Sequence, residues 1–386
     1  MMVEDKGRPL EDIWTELEKA SEKDNHFSEG RILNSMYTSP QPVAVKAHNA
    51  FLEANLGNPG LYPGTMDLER KVIESLAKLL GSIHPSKIDG YITSGGTESN
   101  ITALWMAKQM SKGRDVIFSE NAHFSMLKAC KLLSMNPITV PLDSNSNYCM
   151  DIEAVKGRVT KDTAAIVAVA GSTELGMVDD IKALADIPGN HMLYVDAAFG
   201  GFVLPYLRKK VHYNFAMERV DAIGIDPHKM GLSIIPSGAI LYRDEMFEHM
   251  ERFDSPYLTK NKHQGILGTR CSSAVASTYA IMEFMGNQGY SKLVQECMDN
   301  TNYLVRRMDE LGFKPVVEPL MNIACFQIPN LPAVVQYLKE RNWYVSESRN
   351  PPALRIVVMP HVTKEVIDNF ILDFNDVNKS VLIDQK

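Results

Sequence analysis

The sequence predicts an α/β protein built on a mainly parallel sheet covered by helices, with a second, smaller lobe. Short apolar runs recur along the chain, helix-period segments separate most of them, and 386 residues exceed what one hydrophobic core usually serves. Residues 1–49 form an N-terminal segment, 50–285 a large α/β domain and 286–386 a small C-terminal α+β domain.

In chain order, MMVEDKGRPLEDIWTELEKA is charged and helix-like. MDLERKVIESLAKLLGSI places apolar residues at helical spacing, and GYITSGGTESNITALWMAKQM reads as strand, glycine turn and helix. The strand-like runs DVIFS, PITVPL, TAAIVAVA, HMLYVDAA, DAIGI and GAILYR follow. Residues 254–268, DSPYLTKNKHQGILG, are polar and poorly periodic, which predicts a loop able to move. The small lobe opens on the helix-period stretch QGYSKLVQECMDNTNYLVRRMDELG. Strand-like FKPVVEPLMNIACFQI, helix-like LPAVVQYLKERN, strand-like ALRIVVMP and a last helix complete it.

Composition excludes several classes of function. A net charge of −7 argues against a nucleic-acid or anionic-membrane surface, either of which needs a clustered basic face. No apolar run approaches the length of a membrane span. The five cysteines lie far apart without CxxC or CxxH spacing, so neither a disulfide framework nor a metal site is expected, and a reducing cytoplasm fits. The chain reads as one that handles small molecules.

Ligands of parallel sheets gather beyond the carboxyl ends of the strands, so chemistry is sought there. In Ser94-Gly95-Gly96-Thr97-Glu98-Ser99-Asn100, paired glycines and a following helix suit a phosphate; alone, the same residues make a plain strand-to-helix turn with Thr97 as N-cap. Asp196 ends the run HMLYVDAA, and small Ala197 and Ala198 leave room for something flat. Lys229, in IDPHKMG, follows the next strand; a lysine there is either solvated or an amine held for chemistry. His123, in ENAHFSMLKA, could pack at a helix start or stack on a heteroaromatic ring. Ser172, Thr173 and Glu174 follow TAAIVAVA, where their side chains could equally cap a turn. Each signal is weak alone. Together they are the set that pyridoxal phosphate needs: a lysine for a Schiff base, an acid for the pyridine nitrogen, a flat stacking group and an anion cradle.

SGGTESN, AHFS, VDAAFGG and DPHKMG resemble the signature strings of the group II pyridoxal-phosphate decarboxylases of fold type I, with Ser99 where alanine is usual. NLGNPGLYPGT, GSTELGMVDDI, IPSGAILY, PYLT, ILGTR and ALRIVVMPHVT resemble the archaeal tyrosine/aspartate decarboxylases within that family; Ser172 replaces the usual threonine, and Cys271-Ser272 departs after GTR.

The resemblance implies that Lys229 carries pyridoxal 5'-phosphate, that Asp196 pairs with the ring nitrogen and that His123 stacks on the ring. It implies phosphate and ring contacts from Gly95, Gly96, Thr97, Ser172, Ala198 and His228. Tyr257 is the first candidate for protonating the carbon left by decarboxylation. Arg355 is the second, or a clamp for a substrate carboxylate. The resemblance also implies a homodimer with the active site at the subunit boundary, where Thr269, with Arg270 beside it, reaches the partner's phosphate. The implied reaction is decarboxylation of L-tyrosine to tyramine, of L-aspartate to β-alanine, or both, feeding methanofuran and coenzyme A synthesis in archaea. A carbon-carbon lyase of the sphingosine-phosphate type is the alternative; Lys260, Lys262 and His263 would suit its phosphorylated substrates.

Overall fold

The computed structural model describes residues 6–243, 252–259 and 262–377. After helices α1 (Leu10–Ser21), α2 (Pro42–Ala50) and α3 (Pro63–Leu79) the chain enters a seven-stranded sheet. Its strands are β1 (Ile88–Thr93), β2 (Asp115–Ser119), β3 (Asn136–Val140), β6 (Thr163–Val169), β7 (Met192–Asp196), β8 (Ala222–Ile225) and β9 (Gly238–Arg243). The two-residue strands β4 (Leu142–Asp143) and β5 (Cys149–Met150) form a separate ribbon. Spatial order in the large sheet is β1-β9-β8-β7-β6-β2-β3, and every pair is parallel except those made by β9. The fold is α/β with a mainly parallel central sheet, as the resemblance implies.

Both faces of this sheet are covered, as its apolar strands require. Val116, Phe118, Val167 and Tyr194 point to α4 (Gly96–Met110) and α5 (Ser125–Leu133), where they meet Leu104, Met106 and Met126. Alternate residues Ile117, Ile166, Leu193 and Ile223 face the other way, into a core that includes Val72, Ile73 and Leu76 of α3. Short helices α6 (Ile152–Lys156) and α7 (Ile181–Ala185) begin at Asp151 and Asp180, whose carboxylates accept from the amides of Ala154 and Ala183.

The long helix α8 (Ser272–Glu310) is broken at Gly286, where φ 53° and ψ −174° lie outside helical space. Beyond it, β12 (Ile323–Phe326), β13 (Ser346–Arg349) and β14 (Pro352–Val357) make an antiparallel sheet in the order β12-β14-β13. With α9 (Leu331–Glu340) and α10 (Lys364–Val377) it encloses its own core around Phe326, Trp343, Leu354, Phe370 and Phe374. Leu33 of the N-terminal segment joins that core, its amide bonded to the Tyr344 carbonyl.

The stretch expected to be a loop differs. β10 (Arg252–Asp254) and β11 (Lys262–Gln264) pair as a short antiparallel ribbon. Lys260 and the side chains of Lys262 and His263 lie outside the described residues. No helix among the described residues is long and apolar enough to cross a membrane.

Candidate active site

A cavity of about 370 Å³ opens beyond the carboxyl ends of the parallel strands. Gly95, Gly96, Thr97, His123, Asp196, Ala198, His228 and Lys229 line it, so most of the residues singled out in the sequence converge there. Four segments distant in sequence supply them, each just past a strand of one sheet.

The glycine turn leads β1 into α4. Gly95 is the N-cap, with φ 136°, a backbone conformation that L side chains rarely adopt. Thr97 therefore lies in the first turn and is not the cap. Glu98 reaches back to accept from the Ser94 amide at 2.7 Å, tying the residue before the cap to the first turn. Ser99 is fully buried and hydrogen-bonds Thr93 Oγ1 at 2.9 Å, so the hydroxyl that departs from the family's alanine is satisfied. The N-terminal amides of α4 lack helical partners and carry the positive end of its dipole, which suits an anion.

Asp196 ends β7, and the parallel neighbour β8 leads to Lys229. The Asp196 carboxylate is 6% exposed and accepts from the Ala198 amide at 3.1 Å and Asn100 Nδ2 at 3.1 Å. Lys229 Nζ stands 3.1 Å from Asp226 Oδ2. His228 sits with Nδ1 against the Ser237 carbonyl and Cε1 close to Gly95. His123 Nδ1 is 2.8 Å from Ser125 Oγ. Burial pushes the His123 imidazole below its ordinary pKa; Lys229 and Lys128 act in the same sense, while Asp196 and Asp226 oppose them.

Several of the sequence's candidates, Ser172, Arg355, Tyr257, Thr269 and Arg270 among them, are not among the residues lining the cavity. Ser172 is buried in a turn, its hydroxyl accepting from the Met177 amide at 3.1 Å; the neighbouring Thr173 lines the cavity instead. Arg355 of β14 borders the cavity through Thr173, whose carbonyl accepts from its Nε at 2.6 Å. Tyr257 is 85% exposed and Thr269 is also exposed. Arg270 is held in its own chain, bidentate on Glu69 at 2.7 and 3.1 Å. Asp226 was missed as a site residue, and Asn100 and Thr173, both within quoted segments, were given no role in the site. Asp226 had a legible signal, since like Asp196 it is an acid just past an apolar strand.

The conserved domain of pyridoxal-dependent decarboxylases matches residues 58–329. The chain belongs to that family. It is a pyridoxal-phosphate-dependent amino-acid decarboxylase. A probable L-tyrosine/L-aspartate decarboxylase of Methanosphaerula palustris is 44% identical over 375 residues, covering 96% of this chain and 99% of that protein. A probable L-aspartate decarboxylase of Archaeoglobus fulgidus is 40% identical over 95% of this chain and 99% of its own. Among solved structures, glutamate decarboxylase of Lactobacillus brevis superposes with a TM-score of 0.88 at 21% identity, covering 99% of this chain and 95% of that one. The sphingosine-1-phosphate lyase of Burkholderia pseudomallei reaches 0.90 at 21% identity, over 98% and 92% of the two chains. At such identities these two likenesses speak for the fold.

Proposed function

We propose that this decarboxylase acts on L-tyrosine, L-aspartate or both, with Lys229 as the cofactor-bearing amine. The observation that carries the residue assignment is the convergence of Lys229 and Asp196, from adjacent parallel strands, on one cavity closed by a glycine turn at a helix N-terminus. The names of its relatives in Methanosphaerula palustris and Archaeoglobus fulgidus support the substrates.

The residues fit the cofactor. At Gly96 a Cβ would stand 3.0 Å from Asp226 Oδ2, so the bare backbone is what keeps the cradle open. Gly95, Gly96 and Thr97 would hold the phosphate with the α4 amides, and His228 beside them would add a donor. Ala198 gives room for a ring, His123 offers a flat face and Asp196 a carboxylate for the ring nitrogen. Pyridoxal phosphate, when bound, supplies an aldehyde for the Lys229 amine and a ring that accepts the electron pair left as the Cα–carboxylate bond breaks.

What remains falls to the chain. Arg355 is a buried guanidinium with no carboxylate partner among the described residues, which fits it to hold a substrate carboxylate. Tyr257 and Thr269 lie outside the cavity of their own chain, which fits the subunit-boundary site that the family resemblance implies. In a homodimer the partner subunit's Tyr257 would deliver the proton to the carbon, and the partner's Thr269 would reach the phosphate. All five cysteines are free, in keeping with a reducing cytoplasm. Tyramine and β-alanine would then serve methanofuran and coenzyme A synthesis.

One preparation incubated separately with L-tyrosine and L-aspartate tests the substrates, with amine and carbon dioxide measured together. Tyramine or β-alanine forming in step with carbon dioxide is expected. Formation of neither amine, or aldehyde release from a phosphorylated amino alcohol instead, would overturn the assignment.

A further inference from the structure

Asn100 and Ser125 end two of the sequence's signature strings, SGGTESN and AHFS, and the reading above gives neither a role. The fold brings them together. Asn100 Nδ2 donates to Ser125 Oγ at 2.8 Å and to Asp196 Oδ2 at 3.1 Å, and Tyr194 Oη donates to Asn100 Oδ1 at 2.5 Å. Asn100 is 1% exposed, Ser125 and Tyr194 not at all.

The directions of these bonds are fixed by chemistry. A carboxylate oxygen accepts and a phenol donates, so the amide nitrogen of Asn100 faces Asp196 and its oxygen faces Tyr194; a flipped amide would set oxygen against oxygen at Asp196 and leave Tyr194 without its acceptor. Burial pushes the Tyr194 phenol well above its ordinary pKa, with Asp196 and Asp226 adding to it, so it stays a donor. Room for that hydroxyl comes from Gly224 on β8, where a Cβ would stand 2.2 Å from it. Ser125 Oγ, having accepted from Asn100, has its own hydrogen left for His123 Nδ1 at 2.8 Å. The Ser125 backbone amide points at the same nitrogen from 3.4 Å. Two donors directed at one ring nitrogen leave no place for a hydrogen on it.

We propose that Asn100 is a positioning residue that anchors Asp196 and, through Ser125, fixes His123 as the neutral tautomer protonated at Nε2. One amide side chain thereby sets the two groups that the proposed function, on which this consequence rests, places against the cofactor ring. The tautomer itself does not depend on that reading.

The test uses full-length enzyme with 15N-labelled histidine, read by two-bond proton–nitrogen correlation with and without cofactor. The His123 signals are identified by their loss in His123→Gln. Wild type is expected to show Nδ1 bare and Nε2 protonated in both forms; Ser125→Ala and Asn100→Ala are expected to show both tautomers. A protonated Nδ1 in wild type, or an undisturbed Nε2 tautomer in Ser125→Ala, would overturn the proposal. The small Ser125→Ala change decides the matter even where Asn100→Ala fails to fold. Failure to trap cofactor on Lys229 would sink the cofactor assignment without moving these signals.

Discussion

Lys229 Nζ lies 3.1 Å from Asp226 Oδ2, and among the described residues Asp226 Oδ1 has no hydrogen-bond partner in its buried position. The His228 ring stands farther off, its Nε2 3.9 Å from Oδ2. The lysine therefore does two things: it is the proposed nucleophile, and it neutralises a carboxylate only 2% exposed. Lys229→Ala should abolish decarboxylation and leave no cofactor mass on the chain after borohydride reduction. It should also destabilise the cofactor-free protein by about 2 kcal/mol, because a buried charge loses its partner. Adding Asp226→Asn should restore about half of that. Urea melts of the two variants measure it; a double variant no more stable than the single one would show that the pair carries no such coupling.

Gly95 and Gly96 are neighbours with different demands. Gly95 needs its backbone conformation, so Gly95→Ala should cost about 1–3 kcal/mol of stability. At Gly96 the constraint is space beside Asp226 and Ala198, whose Cβ would be 3.5 Å away. Alanine is the better helix former by about 1 kcal/mol, so Gly96→Ala should fold as well as wild type. The added methyl crowds the cradle, and the dissociation constant for pyridoxal phosphate should rise about tenfold, or about 1.4 kcal/mol. Fluorescence titration and thermal melts on both variants separate the two effects. Equal losses of stability would contradict the distinction.

The seven strands of the large sheet were all legible as apolar runs, because most are buried on both faces and write that burial directly into the sequence, and even the largely exposed edge strand β3 keeps an apolar run. The direction of β9 was not legible. The twelve residues 226–237 that join β8 to β9 carry no helix-period segment, whereas a parallel return usually passes through a crossover helix, and that negative signal is easily passed over. In the site, residues at strand ends were readable since topology alone carries them to one edge. Asn100 looked like any polar residue in the first turns of a helix, and its contact with Asp196 joins positions far apart in sequence. Ser172 and Thr173 are adjacent hydroxyls; which of them faces the cavity is set by the turn that Ser172 closes with Met177. Arg270 follows the same logic, since its partner Glu69 belongs to α3 and nothing local announces the pair.

His191, just before β7, is 4% exposed, and its Nε2 has no partner among the described residues. Burial pushes its pKa down to about 4, with Arg219 adding to the effect. An unfolded histidine titrates near 6.5, so between those values the unfolded chain binds the proton and the folded one does not. The stability associated with this group is therefore full above about pH 6.5 and falls as the pH drops toward 4. His123 and His361 are lowered in the same sense, whereas Asp179, raised to about 6 by burial, acts oppositely. The clean observable is a difference: on going from pH 6.5 to 4.5, wild type should lose on the order of 2 kcal/mol more than His191→Leu. Denaturant melts along that range measure it, and parallel curves would remove His191 as the cause.

Arg355 presents the opposite balance of stability and function. Its Nε and Nη1 bond to the carbonyls of Thr173 and Asn34 and to Ser346 Oγ, yet Nη2 has no partner among the described residues and the residue is only 5% exposed. Burial lowers its pKa, with only Cys325 and Glu174 pulling the other way. A buried cation without a counter-ion is a cost that a folding role alone does not repay. An amino-acid carboxylate arriving through the cavity that Thr173 lines would repay it. Arg355→Met should therefore stay within about 1 kcal/mol of wild-type stability, the lost hydrogen bonds offsetting the removed charge. Its KM should rise at least about tenfold, the worth of one charge-assisted contact, while cofactor binding is unchanged. Steady-state kinetics beside cofactor titration reads both. Large destabilisation with an unaltered KM would make Arg355 a strut between β14 and the turn at Thr173, and would leave the substrate carboxylate to another group.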